Sequence, residues 1–205
     1  MFNPKETTMS MEECRYFLSR YSFGTLITSD LALSHVPFIM PDEDTIETHL
    51  ASGNHQVASL DNQPCLLSIL GPHAFIATTN YITKPAVPTW NYASVSIKGK
   101  ASLMSPKQLS DSLNQMLSHF QHDLVEDKIT LPDEFREKLM QSIIGVRIDI
   151  TEMRGKLKLG QHRCIEDQRK VFEKLSDKGA DNLLYANFAQ QWLERFRPDI
   201  LTGDK

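Results

Sequence analysis

Residues 87–103, with the sequence VPTWNYASVSIKGKASL, contain the clearest β-strand pattern in the chain. From residue 95 to residue 103 every second position is apolar or glycine, and serine and lysine occupy the positions between them. This period of two is typical of a strand with one buried face and one face in water. Gly99 lies in the apolar register, which indicates a bulge or the close approach of another backbone.

The segment just before this strand combines four different functional groups. Thr89 brings a hydroxyl, Trp90 an indole, Asn91 an amide and Tyr92 a phenol. Such a set suits the binding of a planar polar ligand, because it offers both flat apolar surface and hydrogen-bonding groups. It also suits a structural rim in which the two aromatic rings pack and the polar groups close a turn. The segment alone leaves both interpretations open.

The rest of the chain predicts strands first and helices later. Apolar patterns favour strands over Phe23–Thr28, 33–40, Thr45–Ala51, 65–70, 73–79 and 146–151. Helical periods favour helices over 10–21, 106–123, 132–143, 167–176 and Ala180–Phe196. Ser10 and Glu13 form a capping-box pair, and hairpins are expected at residues 29–30 and at Gly71 and Pro72. This order predicts a mainly β fold with α, a small antiparallel barrel with helices packed outside it.

Composition limits the classes of function. The chain has 205 residues and a net charge of −4 at pH 7, which gives no overall basic surface for nucleic acid. No apolar run reaches the roughly 18 residues of a membrane span, and the first residues lack the pattern of a signal peptide. The three cysteines are far apart without metal-ligand spacing, so we expect reduced thiols, no metal site and a cytoplasmic protein.

A dense basic stretch follows the last predicted strand. Within MRGKLKLGQHR, residues 153–163, the cations are Arg154, Lys156, Lys158 and Arg163. In an extended segment Lys156 and Lys158 point the same way. They are either the protective lysines of an edge strand or a site for a phosphate or carboxylate.

The last predicted helix, Ala180–Phe196, carries Leu184, Phe188, Trp192 and Phe196 on one stripe. This stripe must be buried, and we expect it to pack on its own domain or on a partner subunit rather than to form a ligand groove. Catalytic motifs such as GxSxG, HExxH, the P-loop and GxGxxG are absent from the sequence, which therefore assigns no reaction and no catalytic residue.

Four segments together resemble the PaiB-type family of FMN-binding negative transcriptional regulators. They are SHVPF at 34–38, GPHAFI at 71–76, VPTWNY at 87–92 and IIGVRIDITEMRGKLKLGQHR at 143–163, in the family's order. The resemblance implies a split-barrel FMN-binding domain over 1–178, with helices at about 106–143 inserted before the last strand, and a helical extension over 179–205. It further implies a homodimer with flavin at the subunit interface and a role in repressing transcription.

The resemblance also implies where the cofactor is bound. The flavin phosphate would be held after the third strand, and the ring would lie against the segment that leads into the central strand. Carried over to this chain, the candidate cofactor-binding residues are His49, Ser52, Thr89, Trp90, Asn91, Lys156, Lys158, Gln161 and Arg163. The resemblance favours the anion-site interpretation of the two lysines.

One departure from the family concerns the phosphate. HLASGNH at residues 49–55 replaces the family's HxARANP, so Ser52 stands in place of an arginine that could bind phosphate through two hydrogen bonds. Nearby histidines make haem the alternative ligand. Three hypotheses follow: a flavin-binding regulator that acts through DNA or a partner, a flavin-dependent oxidoreductase or haem-handling enzyme whose redox chemistry the cofactor supplies, and a relative that has lost its cofactor.

Overall fold

The computed structural model describes residues 2–120 and 133–202, and within them six strands form one closed antiparallel barrel. The strands are β1 (Phe23–Thr28), β2 (Leu33–Asp42), β3 (Thr45–Ala51), β4 (Pro64–Ile76), β5 (Thr89–Leu103) and β6 (Ile143–Lys158). Their order around the barrel is β1-β2-β3-β6-β5-β4. The predicted fold class, a mainly β barrel with helices, is confirmed.

Helices precede the barrel, interrupt it before β6 and follow it. They are α1 (Met11–Arg20), α2 (Pro106–Phe120), α3 (Asp133–Met140), α4 (Ile165–Ser176), α5 (Ala180–Phe196) and the short α6 (Asp199–Thr202). The predicted capping box is present, since the Ser10 hydroxyl accepts from the Glu13 N–H at 3.1 Å and the Glu13 carboxylate accepts from the Ser10 N–H at 2.7 Å. The ends of two predicted helices, residues 121–123 and Pro132, lie outside the described residues.

The hairpin predicted at Gly71 and Pro72 is wrong, because β4 runs without a turn from Pro64 to Ile76. Gly71 and Ala74 are both buried, so the alternation of buried and exposed positions shifts by one residue between them. A strand accommodates a proline at such an irregularity because the missing N–H is not needed in the ladder there. The Gly-Pro pair therefore marks an irregularity within one strand rather than a turn.

The described chain divides into two compact units. Unit 1 contains residues 2–14, 70–95 and 154–202, and unit 2 contains residues 15–69, 96–120 and 133–153. The core of unit 2 is made by inward side chains of the strands, among them Leu26, Phe38, Ile46, Leu67, Ile97 and Ile148. The prediction for Gly99 is confirmed, because a Cβ atom there would lie 2.6 Å from the carbonyl oxygen of Asp149 in β6.

In unit 1 the apolar core is built around the last helices. Its buried residues include Leu157, Leu159, Val171, Leu175, Tyr185, Trp192 and Leu193. The stripe predicted on α5 is displaced, because Leu184 is 61% exposed and Tyr185 is fully buried in its place. Helix α5 thus buries its apolar face within unit 1, one of the two expected arrangements.

A buried carboxylate joins the start of α1 to the end of α5 in unit 1. The Glu13 side chain accepts hydrogen bonds from the indole of Trp192 at 3.2 Å and from the guanidinium of Arg197 at 3.1 Å. Arg197 also donates to the carbonyl oxygens of Glu6 and Thr8 at 2.9 and 2.8 Å. These bonds hold the N-terminal segment against the end of α5.

Candidate functional site

Two lysines of β6 project outward from unit 1 on the same side of the strand. Lys158 donates to the Thr89 hydroxyl at 2.5 Å, and Lys156 donates to the carbonyl oxygen of Phe2 at 3.0 Å. Within the described ranges neither ammonium group forms an ion pair with a carboxylate. Burial and the neighbouring charge of Lys156 lower the pKa of Lys158. An anion bound here would relieve the repulsion between the two charges.

Aromatic rings lie on the outward side of the neighbouring strands of unit 1. Trp90 is 54% exposed and Phe75 is 48% exposed, with 5.9 Å between their ring centroids. His73 is also 5.9 Å from Trp90, and the Tyr92 ring lies 5.8 Å from the Lys156 ammonium group. The outward surface formed by Phe75, Trp90, Tyr92, Lys156 and Lys158 is here called the basic-aromatic face.

Gln161 and Asn91, both candidate site residues, point into the protein. The Gln161 amide donates to the Leu157 carbonyl oxygen at 2.6 Å and accepts from the Leu159 N–H at 2.8 Å, so it braces the turn after β6. Asn91 is only 2% exposed, and its buried side-chain oxygen has no hydrogen-bond partner among the residues that the structure describes. The contacts seen for these two amides are therefore internal.

Arg163 belongs to a buried polar cluster that holds the β4–β5 loop against α4. Its guanidinium lies 4.5 Å from the centre of the Tyr81 ring and 3.9 Å from the Asp167 carboxylate. Asp167 accepts from the backbone N–H groups of Ile82 and Thr83 at 2.7 and 2.9 Å and from the Thr83 hydroxyl. Burial would raise the pKa of Asp167, but these hydrogen bonds and the charge of Arg163 outweigh it and lower the pKa.

Two candidate residues, His49 and Ser52, lie in unit 2. His49 is opposite Gly145 in the pairing of β3 with β6 and faces outward, as its register predicts. Its buried Nδ1 atom has no hydrogen-bond partner within residues 2–120 and 133–202, and burial lowers the pKa of the imidazole. Ser52 is exposed in the turn after β3 and borders a cavity of about 430 Å³ with apolar walls that include Met104 and Leu109.

The structure thus joins some of the predicted site residues in pairs. Thr89 contacts Lys158 on the basic-aromatic face, whereas Asn91 and Arg163 border the same small internal cavity. Sequence reasoning missed Asp167, although a carboxylate only four residues after Arg163 is a candidate partner for its charge. Cofactor binding by these residues stays a prediction.

Two other features, a metal-ligand cluster and a membrane-spanning helix, are absent from the described part of the chain. No cluster of three or more His, Cys, Asp or Glu side chains there is arranged to hold a metal ion. Within the same residues no helix is both long enough and apolar enough to cross a membrane. Cys14 and Cys65 are buried, and Cys164 is exposed, all three as free thiols.

Solved structures share the fold of this chain. The flavocytochrome Anf3 from Azotobacter vinelandii matches with a TM-score of 0.60 at 15% identity, over 74% of this chain and 68% of that one. The FAD and heme binding protein from Mycobacterium smegmatis matches with a TM-score of 0.61 at 13% identity, over 76% of this chain and 75% of that one. At such low identity the likeness shows the fold alone.

Sequence comparison shows the family. The chain is 31% identical over 194 residues to the protease synthase and sporulation protein PAI 2 of Bacillus subtilis, covering 89% of this chain and 92% of that protein. The family model described as "Putative FMN-binding domain" matches residues 1–152. The resemblance drawn from the four sequence motifs is therefore confirmed, and the chain belongs to the PaiB-type FMN-binding family.

Proposed function

We propose that this protein binds FMN on the basic-aromatic face, where two copies of the chain meet, and that the bound flavin controls a regulatory activity on transcription in the cytoplasm. One observation carries the flavin site. In a member of an FMN-binding family, two outward lysines pair with no carboxylate among the described residues, and one of them, Lys158, bonds to Thr89, next to the exposed indole of Trp90. Exposed aromatic surface of this kind is typical of sites that a ligand or a partner covers.

The residues of this face fit the chemistry of FMN. A phosphate group needs cations and hydrogen-bond donors, which Lys156, Lys158 and the Thr89 hydroxyl supply. The flavin ring needs a flat apolar surface, which Trp90 supplies. When bound, the flavin would supply any redox chemistry. The residues of this chain would orient the flavin and neutralise the negative charge of its phosphate.

The regulatory part of the proposal rests on the relative PAI 2, whose name connects it with protease synthesis and sporulation. With a net charge of −4, the chain has no overall basic surface to attract DNA. We therefore propose that the flavin state changes how the protein contacts a partner or a limited DNA surface. Expression of the wild type and of a flavin-deficient variant in a deletion strain tests this part, because only the wild type should restore the transcript profile.

The flavin site is tested by comparing FMN with riboflavin, which lacks the phosphate. In the Lys156→Met, Lys158→Met double variant we expect FMN affinity to fall about 10- to 100-fold, since charged hydrogen bonds contribute roughly 1.5–3 kcal/mol. Riboflavin affinity should stay unchanged. Lys100→Met, which removes an exposed lysine of β5 in unit 2, is the matched control and should bind both ligands like the wild type.

Fluorescence titration measures the dissociation constants of FMN and of riboflavin for the wild type and for each variant. An equal loss of affinity for FMN and riboflavin would contradict the phosphate assignment. A wild-type protein that binds neither flavin but takes up haem, seen as a Soret band, would contradict the flavin proposal as a whole.

A further inference from the structure

Two of the motifs that identify the family meet inside unit 1, behind the basic-aromatic face. Asn91 of VPTWNY and Arg163 of GQHR border one small cavity, together with Gly160 and with Gln168 of α4. The other residues that line it are Tyr81, Leu159, Val171 and Phe172. The volume that the centre of a water molecule can occupy in this cavity is about 10 Å³. This is close to the smallest volume that holds one water molecule.

Three polar atoms of the lining residues are buried and have no hydrogen-bond partner in the described part of the chain. They are the side-chain oxygens of Asn91 and Gln168 and the Nε atom of Arg163. Asn91 and Gln168 are only 2% and 3% exposed. The orientation of the Gln168 amide follows from its nitrogen, which donates to the Arg163 carbonyl oxygen at 3.0 Å. Each such group costs about 1–3 kcal/mol if it stays unsatisfied.

We infer that this cavity binds one water molecule as a permanent part of the folded protein. Water has two donor hydrogens for the oxygens of Asn91 and Gln168, and its own oxygen accepts from Arg163 Nε. One molecule therefore satisfies all three groups. A cation would face the Arg163 guanidinium, and an anion would face two amide oxygens, so water suits the site better than either ion.

The water joins strand β5, through Asn91, to the turn after β6 and to helix α4, which Arg163 and Gln168 already connect through one direct hydrogen bond. Asn91 then acts as a ligand of this internal water, and its amide is not needed on the flavin surface. The inference is independent of flavin binding, since every contact that it uses lies inside unit 1.

A crystal structure of the full chain at a resolution that shows ordered water tests the inference directly. We expect one density peak within hydrogen-bonding distance of Asn91 Oδ1, Gln168 Oε1 and Arg163 Nε. A structure in which these atoms bond directly to one another, or in which the Asn91 amide bonds to the nearby Tyr185 hydroxyl with no peak in the cavity, would overturn it. Both outcomes can be read from the wild type.

Water-oxygen magnetic relaxation dispersion provides a second test in solution, because it counts water molecules with long residence times. Val171→Ile adds a methyl group to the cavity wall and should lower the count by one relative to the wild type. Gln190→Met, an exposed substitution on α5, is the control and should leave the count unchanged. A count that is equal in all three proteins would contradict the inference.

Discussion

At the scale of single residues, Glu13 shows how a buried charge is made compatible with the fold. Its carboxylate is 5% exposed, yet donors from Ser10, Trp192 and Arg197 surround it. Burial alone would raise the pKa of Glu13, but the hydrogen bonds and charge of Arg197, with the Ser10 N–H, hold it below its ordinary value of 4.5. The charged form is therefore the one that the fold stabilises.

Replacing Glu13 by Gln should lower the free energy of unfolding by about 1.5–3 kcal/mol at neutral pH, because charged hydrogen bonds are lost and Arg197 keeps its charge. Chemical denaturation measures this difference. Glu12→Gln, at an exposed neighbouring position of α1, is the control and should change stability little. Equal effects of the two substitutions would show that the buried carboxylate does not hold the helices together.

The same residue predicts a pH dependence. A carboxyl group whose pKa is lowered by folding stabilises the protein above its unfolded-state pKa, and this contribution is lost as the pH falls through the folded-state pKa. The stability difference between the wild type and Glu13→Gln should therefore be full at neutral pH and shrink below pH 4.5. A difference that stays constant down to acid pH would contradict this assignment.

The sequence pattern around Asn91 predicts which side chains near the site face inward and which face outward. Asn91 shares the register of Ala93, Val95 and Ile97, so the period of two places its side chain inside, while Trp90 and Tyr92 face outward. Lys156 and Lys158 were assigned to one outward side for the same reason, and that prediction is confirmed. The contact of Arg163 with Tyr81 is beyond sequence reasoning, because the fold alone brings these two distant residues together, whereas Asp167 is close to Arg163 in the sequence itself.

At the scale of elements, strand order and register depend on close contacts between strands. The sequence indicates where such a contact occurs but not which strand is the partner. Gly99 indicated a close approach, and the structure supplies the partner, β6 at Ile148 and Asp149. In β4 the Gly-Pro pair suggested a turn, since local turn propensity says nothing about neighbouring strands. The strand continues there because tertiary pairing overrides local propensity.

Gly99→Ala should destabilise the barrel by about 1–3 kcal/mol, which is the typical cost of adding a methyl group to a well-packed core. The added Cβ would lie 2.4 Å from Ile148 Cγ2 and 2.6 Å from the Asp149 carbonyl oxygen, so strands β5 and β6 would have to separate. Gly53→Ala is the control, because a Cβ at Gly53 meets nothing within 4 Å. Thermal unfolding of both variants checks the prediction. Equal Tm values for Gly99→Ala and Gly53→Ala would contradict it.

One carboxylate of α4, that of Asp167, binds the backbone of the loop between β4 and β5. In Asp167→Ala the amide hydrogens of Ile82 and Thr83 lose their acceptor and should exchange with solvent faster than in the wild type. Hydrogen exchange followed by mass spectrometry measures this change. Asp177→Ala, at the exposed end of α4, should leave the exchange of this loop unaltered, and an unaltered loop in both variants would contradict the anchoring role.

At the scale of the whole molecule, the proposed site requires two copies of the chain. The exposed aromatic side chains of the basic-aromatic face are the surface that we expect a second copy to cover. The family match extends over residues 1–152, so it takes in Trp90 but ends before Lys156 and Lys158. The phosphate-binding part of the proposal therefore rests on the geometry of this chain and on the resemblance of residues 143–163 to the family, not on the matched domain.

Trp90→Glu should weaken self-association, because it places a charge in the middle of an apolar contact. Sedimentation velocity over a range of protein concentrations should show a dimer for the wild type and a larger monomer fraction for the variant. Leu184→Glu, a comparably exposed apolar residue of α5, is the control. A wild type that remains monomeric at every concentration would contradict the proposed interface.

The bond between Glu13 and Arg197 also has a consequence for protein synthesis. The two residues are 184 positions apart, so the ribosome has to add Arg197 long after Glu13 has emerged. Until then the carboxylate at the start of α1 has neither its guanidinium nor its indole partner. Residues 15–69 belong to unit 2 and include strand pairs that form among early-made segments, whereas the N-terminal segment must wait. The segment around Glu13 is therefore made before strands β1 to β3 and reaches its final place after them.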